Sequence, residues 1–103
     1  MKKIVFFVPI DHSEAVKEAV FKAGAGKIGH YDQCCFETLG TGQFRPLEGS
    51  SAFLGLVGEV EKVEEMRVEM VCENNLIGSV IDALKIAHPY ETPAYEVYSL
   101  EEY

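Results

Sequence analysis

Glu61-Lys62-Val63-Glu64-Glu65-Met66-Arg67-Val68-Glu69-Met70-Val71-Cys72 is the stretch on which the fold turns. Met66, Val68, Met70 and Cys72 fall on one side of an alternation, and Glu65, Arg67 and Glu69 on the other. A period of two sends successive side chains to opposite faces of a strand, so one face meets a core and the other meets water. Half-buried strands of this kind belong to antiparallel sheets packed on one side.

Downstream, Asn74 or Asn75 is placed to cap a helix whose apolar residues are Leu76, Ile77, Val80, Ile81, Leu84 and Ala87. His88-Pro89 ends it, because the residue before proline avoids the helical region. Ala94 to Leu100 reads as a last strand, with Tyr95 and Val97 on one face and Tyr98 and Leu100 on the other. Upstream, Lys3 to Val8 is a continuous apolar run, the pattern of a central strand. Asp11 and Glu14 then form an Asp-x-x-Glu capping box with Asp11 as N-cap. Val16, Ala19, Val20 and Ala23 make the apolar stripe of a first helix, ended by Gly24 or Gly26. Asp32 to Leu39 reads as a strand, Gly40 to Gly42 as a turn, Gln43 to Pro46 as a short return and Leu47 to Leu56 as loop. The order is β-α-β-β-α-β over residues 1–103. It predicts an α+β ferredoxin-like plait, an antiparallel sheet with two helices on one face. The uncovered face predicts self-association.

The 103-residue chain carries 17 acidic and 9 basic residues, a formal charge of −8. Such a surface repels phosphate backbones, so nucleic acid is not expected as a partner. No apolar run is long enough to cross a bilayer, and the N-terminal run stops at Pro9 without a cleavage site, so neither a membrane nor export is expected. Three cysteines without a disulfide framework or a CxxC spacing fit structural thiols in the cytoplasm.

All of the nine glycines except Gly78 lie between Gly24 and Gly58. Residues 24–29 spell GxGxxG, but after a helix and before a strand, the reverse of a dinucleotide site; helix capping and tight turns are the simpler account. Gly40-Thr41-Gly42 lacks the Lys-Ser/Thr of a phosphate loop. The same turn is expected to present Phe44 and Arg45 to a ligand or another subunit, where a planar guanidinium suits a carboxylate or phosphate. His88-Pro89-Tyr90-Glu91-Thr92-Pro93 is a connector stiffened by two prolines. His88 there is read either as a cap on the preceding helix or as a metal ligand or base with Glu91, if His30 or His12 converges on it. No nucleophile–base arrangement has support from position. The ligand-binding candidates are therefore Tyr31, Gly40, Gly42, Phe44, Arg45 and Tyr90, and the divalent-metal alternative rests on His88, His30 and Glu91.

The strings GAGKIGHY, GTGQFRP and HPYETPAY, with VEEMRVEM between the last two, resemble the domain inserted into many bacterial NIF-three-like proteins. In those proteins the insert separates two halves of a larger body that carries a dinuclear metal site. The resemblance covers nearly the whole chain and implies the insert alone, without that body's ligands and without a basis for its metal-dependent hydrolase chemistry. More distantly, Gly58-Glu59-Val60 and the His88–Pro93 string are similar to CutA proteins of the PII-like fold. That likeness implies a homo-oligomer, trimer or dimer, but not copper binding from His88 alone. The reading is a non-enzymatic, self-associating module that takes a small molecule or a protein. The alternative is a divalent-metal-binding protein, with a hydrolase the weaker third.

Overall fold

The computed structural model describes all 103 residues. Its elements are β1 (Lys2–Pro9), a 3-10 turn (Ile10–His12), α1 (Ser13–Lys22), β2 (Phe36–Phe44), β3 (Glu61–Cys72), α2 (Ile77–Ala87) and β4 (Tyr95–Ser99). The four strands form one sheet in the order β2-β3-β1-β4, and every neighbouring pair is antiparallel. This is the ferredoxin-like plait that the order of elements predicts.

The alternation in β3 survives in three dimensions. Met66, Val68, Met70 and Cys72 lie on the helix side, with Val68, Met70 and Cys72 buried. Register sets Ile4, Phe6 and Val8 of β1 opposite Met70, Val68 and Met66. Val16 and Val20 of α1 and Val80 and Leu84 of α2, spaced four apart on one helical face, close the core over them. Each fully buried side chain of this kind contributes about 1.5–3 kcal/mol.

Several local expectations change. Asp11 does not cap α1: Ile10–His12 winds as a 3-10 turn, α1 begins at Ser13, and no side chain caps its N-terminus. The Ser13 hydroxyl donates back to the Ile10 carbonyl at 2.9 Å instead. Likewise Leu76, not an asparagine, is the N-cap of α2. Gly24 follows the C-cap Ala23 with φ +117, as a helix-ending glycine should.

The largest correction concerns Gly40-Thr41-Gly42. It is no turn. These residues sit inside β2, paired with Glu65, Glu64 and Val63, and the strand runs on to Phe44. The chain reverses through residues 45–60 instead. β1 reaches β3 only from Glu65 onward, so Thr41–Phe44 and Glu61–Glu64 extend as a two-stranded ribbon beyond the main sheet. The molecule is accordingly elongated, 46 × 24 × 24 Å. Asp32–Cys35 is irregular rather than extended, because Gly26–Tyr31 first makes a small antiparallel bridge of its own between Ile28 and Tyr31.

Candidate functional site

The open face of the sheet carries Phe7 from β1, Glu65, Arg67 and Glu69 from β3, and Phe36, Thr38, Gly40 and Gly42 from β2, since directly paired residues share a face. Most of this face behaves as the alternation predicts. Lys3 pairs with Glu69 at 2.8 Å, Arg67 Nε lies 3.5 Å from the same carboxylate, and the Arg67 guanidinium stands 5.7 Å from the centre of the Phe7 ring. The lysine and arginine hold the Glu69 carboxyl below the usual carboxylate range, the hydrogen bond from Lys3 being the main cause.

Glu65 is the exception. It is 9% exposed, yet it makes no ion pair, and no hydrogen bond of strict geometry, within the chain. It can lie flat on the sheet only because its diagonal neighbour is Gly42: a Cβ there would collide with the Glu65 carboxylate and its Cδ, 2.5 Å away. Gly42 therefore clears space for one acidic side chain and does not shape a turn.

The chain that follows covers Glu65. Residues 45–60 fold back over the end of β1, anchored by buried Pro46, whose carbonyl accepts a 2.8 Å hydrogen bond from the Gly58 N–H. The connector between α2 and β4 meets this loop, the Ser51 N–H donating to Glu91 at 3.0 Å. Between them is a cavity of about 250 Å³ at the Phe7–Glu65 end of the sheet. Three aromatic rings form its walls: Phe44 and Phe53 lie 5.6 and 6.3 Å from Tyr90, centre to centre. Gln43, Ser50, Glu65, Glu91 and Thr92, with the Tyr90 hydroxyl, supply its polar groups. No lysine, arginine, histidine or cysteine lines it.

The Tyr90 hydroxyl is buried and has no hydrogen-bond partner. Burial pushes its phenol well above the usual value, and the negative charges of Glu65, Glu61 and Asp11 push it further. Glu65 acts on the hydroxyl both by its charge and as a close hydrogen-bonding neighbour, although the pair falls outside strict hydrogen-bond geometry. The cavity thus combines an acid without a counter-charge and a buried hydroxyl without a partner.

His88 caps α2 through its backbone, and its ring has a further task. Its Nδ1 accepts the Tyr90 N–H at 3.1 Å, so Nε2 carries the proton and donates to the Phe7 carbonyl at 2.7 Å. The ring ties the connector to β1 and offers no free nitrogen. The His88 backbone caps α2, as one of the two readings expects, its N–H donating to the Leu84 carbonyl at 2.9 Å. Burial holds its pKa below the usual histidine value, against the pull of the Phe7 carbonyl. With its ring 5.0 Å from that of Tyr90, His88 positions the cavity wall.

The expected site residues divide into two groups. Phe44, Tyr90 and Glu91 line the cavity, and Gly42 supports it. Gly40 is in the adjoining strand and meets open space. Arg45 is exposed, lies outside the lining and makes no ion pair. Tyr31, 75% exposed, and His30 belong to the Gly26–Tyr31 bridge, which attaches at Val71 through the Gly26 N–H. Val71 lies six residues along β3 from Glu65, about 20 Å at roughly 3.3 Å per residue. His30, His88 and Glu91 consequently do not converge. No group of three His, Cys, Asp or Glu side chains is placed to hold a metal, and the residues present do not fit one. Glu65, Phe53, Phe7 and Gln43 went unseen in the sequence. Phe53, a lone aromatic amid small loop residues, was the one readable signal.

These features define an α+β plait of the ferredoxin-like type with a loop-covered cavity on its open face. No family model matches the chain. It is 47% identical over 100 residues to a "GTP cyclohydrolase 1 type 2 homolog" of Mycobacterium tuberculosis and 43% identical over 102 residues to that of Bacillus subtilis, covering 97% and 99% of this chain. It spans about a quarter of the length of these curated relatives, 26% and 27%. A Bacillus cereus protein related to NIF3 superposes with a TM-score of 0.84 at 46% identity, over 98% of this chain and 26% of that one. By sequence and by structure, the chain is homologous to the insert domain of the NIF3 family. CutA from Archaeoglobus fulgidus shares the fold, with a TM-score of 0.70 at 17% identity over 99% of this chain and 86% of that one. No helix is long and apolar enough to cross a membrane.

Proposed function

We propose that this chain is a non-enzymatic, self-associating binding module of the cytoplasm. Its ligand site is the cavity between Phe44, Phe53 and Tyr90. The observation that carries this reading is the pair of polar groups inside it: a largely buried acid without a counter-charge and a buried hydroxyl without a well-formed hydrogen bond. Buried polar groups are nearly always paired, and orphans collected in one cavity mark a place for something else. The lining has no histidine, cysteine or lysine, and its serine and threonine have no histidine beside them to activate a hydroxyl, which supports binding over catalysis. The name of the curated relatives points to a nucleotide. Ligand pockets usually measure roughly 300–1,000 Å³. This cavity is about 250 Å³ and has no basic side chain for phosphate, so we do not carry a nucleotide over to it.

Self-association is supported by exposed apolar groups such as Phe36 and Tyr98, which project from the uncovered face of the sheet. Three unpaired cysteines fit a reducing compartment. The test of binding is titration of the labelled protein with a panel of cationic, neutral and anionic single-ring fragments, followed by amide shifts. Shifts concentrated at Phe44, Phe53 and Tyr90 are expected. A panel that leaves those amides unmoved removes the site. Light scattering at tens of micromolar tests the assembly, and a monomer there refutes it.

A further inference from the structure

We infer that the cavity selects a small planar cation: an amidinium, a guanidinium or an aromatic amine carrying a proton. This rests on the reading of the cavity as a ligand site and names the class of ligand. Four observations converge on it. First, Glu65 is a buried carboxylate with no counter-charge in the chain. A carboxylate largely withdrawn from water without a counter-charge is stabilised by pairing with a cation. Second, every charged side chain lining the cavity is an acid, and Glu91 is already engaged by the Ser51 N–H, which leaves Glu65 as the receptor. Third, three aromatic rings, Phe44, Phe53 and Tyr90, cluster in the lining, and aromatic rings attract cations. Fourth, the volume of about 250 Å³ suits a single ring or a short-stemmed head group.

The chemistry follows from the geometry. A planar cation with two N–H donors meets the two oxygens of Glu65 as a fork, and charge-assisted bonds of this type are the strong ones. The Tyr90 hydroxyl, without a partner of strict geometry in the chain, can accept from an N–H of the ligand or donate to an acceptor on it. Gly42 is part of the receptor, because any side chain there displaces the carboxylate.

The experiment compares benzamidine, benzamide and benzoate, three fragments of nearly one shape and three charges, by amide shifts on the native protein, Glu65→Gln and Gly42→Ala. Benzamidine is expected to bind at Phe44, Phe53 and Tyr90 and to outrank benzamide by about tenfold or more, the scale of one charge-assisted bond. Glu65→Gln is expected to erase that preference while leaving the spectrum dispersed. Gly42→Ala, which keeps the charge but moves it, is expected to weaken benzamidine in the same direction. Benzamide or benzoate binding as tightly as benzamidine overturns the cation class and leaves the binding site standing. None of the three moving those amides overturns both. A benzamidine affinity unchanged in Glu65→Gln removes the carboxylate from recognition.

Discussion

Two glycines mark opposite ends of β3, and they serve different ends. At the Val71 end, Gly26 has φ +81, and a Cβ there would stand 2.7 Å from the Phe21 ring and 2.9 Å from the Cys34 carbonyl. Its absence of a side chain lets α1, the Ile28–Tyr31 bridge and the strand edge come together. At the Glu65 end, Gly42 has an ordinary strand conformation, and the only atoms a Cβ would strike belong to the Glu65 side chain. One glycine is needed by the backbone. The other is needed by a carboxylate. A glycine-rich sequence therefore holds both architecture and site, and composition does not separate them.

The sharpest way to break this comparison is Gly26→Ala. Positive φ and a close backbone carbonyl cannot both be relieved, so a loss of about 2–4 kcal/mol is expected in chemical denaturation. A loss under about 2 kcal/mol would place Gly26 with Gly42. Gly42→Ala should cost only about 1–2 kcal/mol, because the end of a side chain can swing away. In the double variant with Glu65→Ala that extra cost should vanish, the coupling of two residues in contact. Additive costs would show that Gly42 matters for something other than Glu65.

Glu65→Gln sharpens the contrast from the other side. Removing a buried, unpaired charge while keeping its shape is expected to raise stability by about 1 kcal/mol in the absence of ligand. A fall in stability would mean that the chain itself pairs the carboxylate. The smallest effect is a pH slope. Burial holds the folded-state pKa of His88 below its ordinary value, so between that value and about 6.5 the unfolded chain binds a proton that the folded one does not. Stability should fall as pH drops below about 6.5 and stop falling on this account once His88 itself protonates. His88→Gln should remove that part of the slope in urea titrations at stepped pH; an unaltered slope would assign it elsewhere.

Strand and helix periodicity carried most of the fold. The alternation of β3, the stripes of Val16–Val20 and Val80–Leu84 and the run in β1 are short-range patterns, and each survives in the core. The capping assignments at Asp11 and Asn74 or Asn75 did not, because packing of the 3-10 turn and of Leu76 outweighed local side-chain preference. Of the site, Phe44 and Tyr90 were legible as aromatics in constrained stretches. Arg45, Tyr31 and His30 were drawn in by the same logic and lie elsewhere, since residue type says nothing about which end of a sheet a loop reaches.

The sequence by itself determined the plait and the face of the sheet that would be buried, because both follow from periods of 2.0 and 3.6 residues. It also set the relation to the NIF3 insert domain, carried by the GAGKIGHY, GTGQFRP and HPYETPAY strings. Tertiary structure alone decided that Glu65 is covered while Arg67 and Glu69, on the same face of the same strand, remain at the surface. Burial at that position depends on a loop of residues 45–60 and a connector at residues 88–94 meeting over it. Contact between segments so far apart in sequence is a property of the folded chain and of no local pattern.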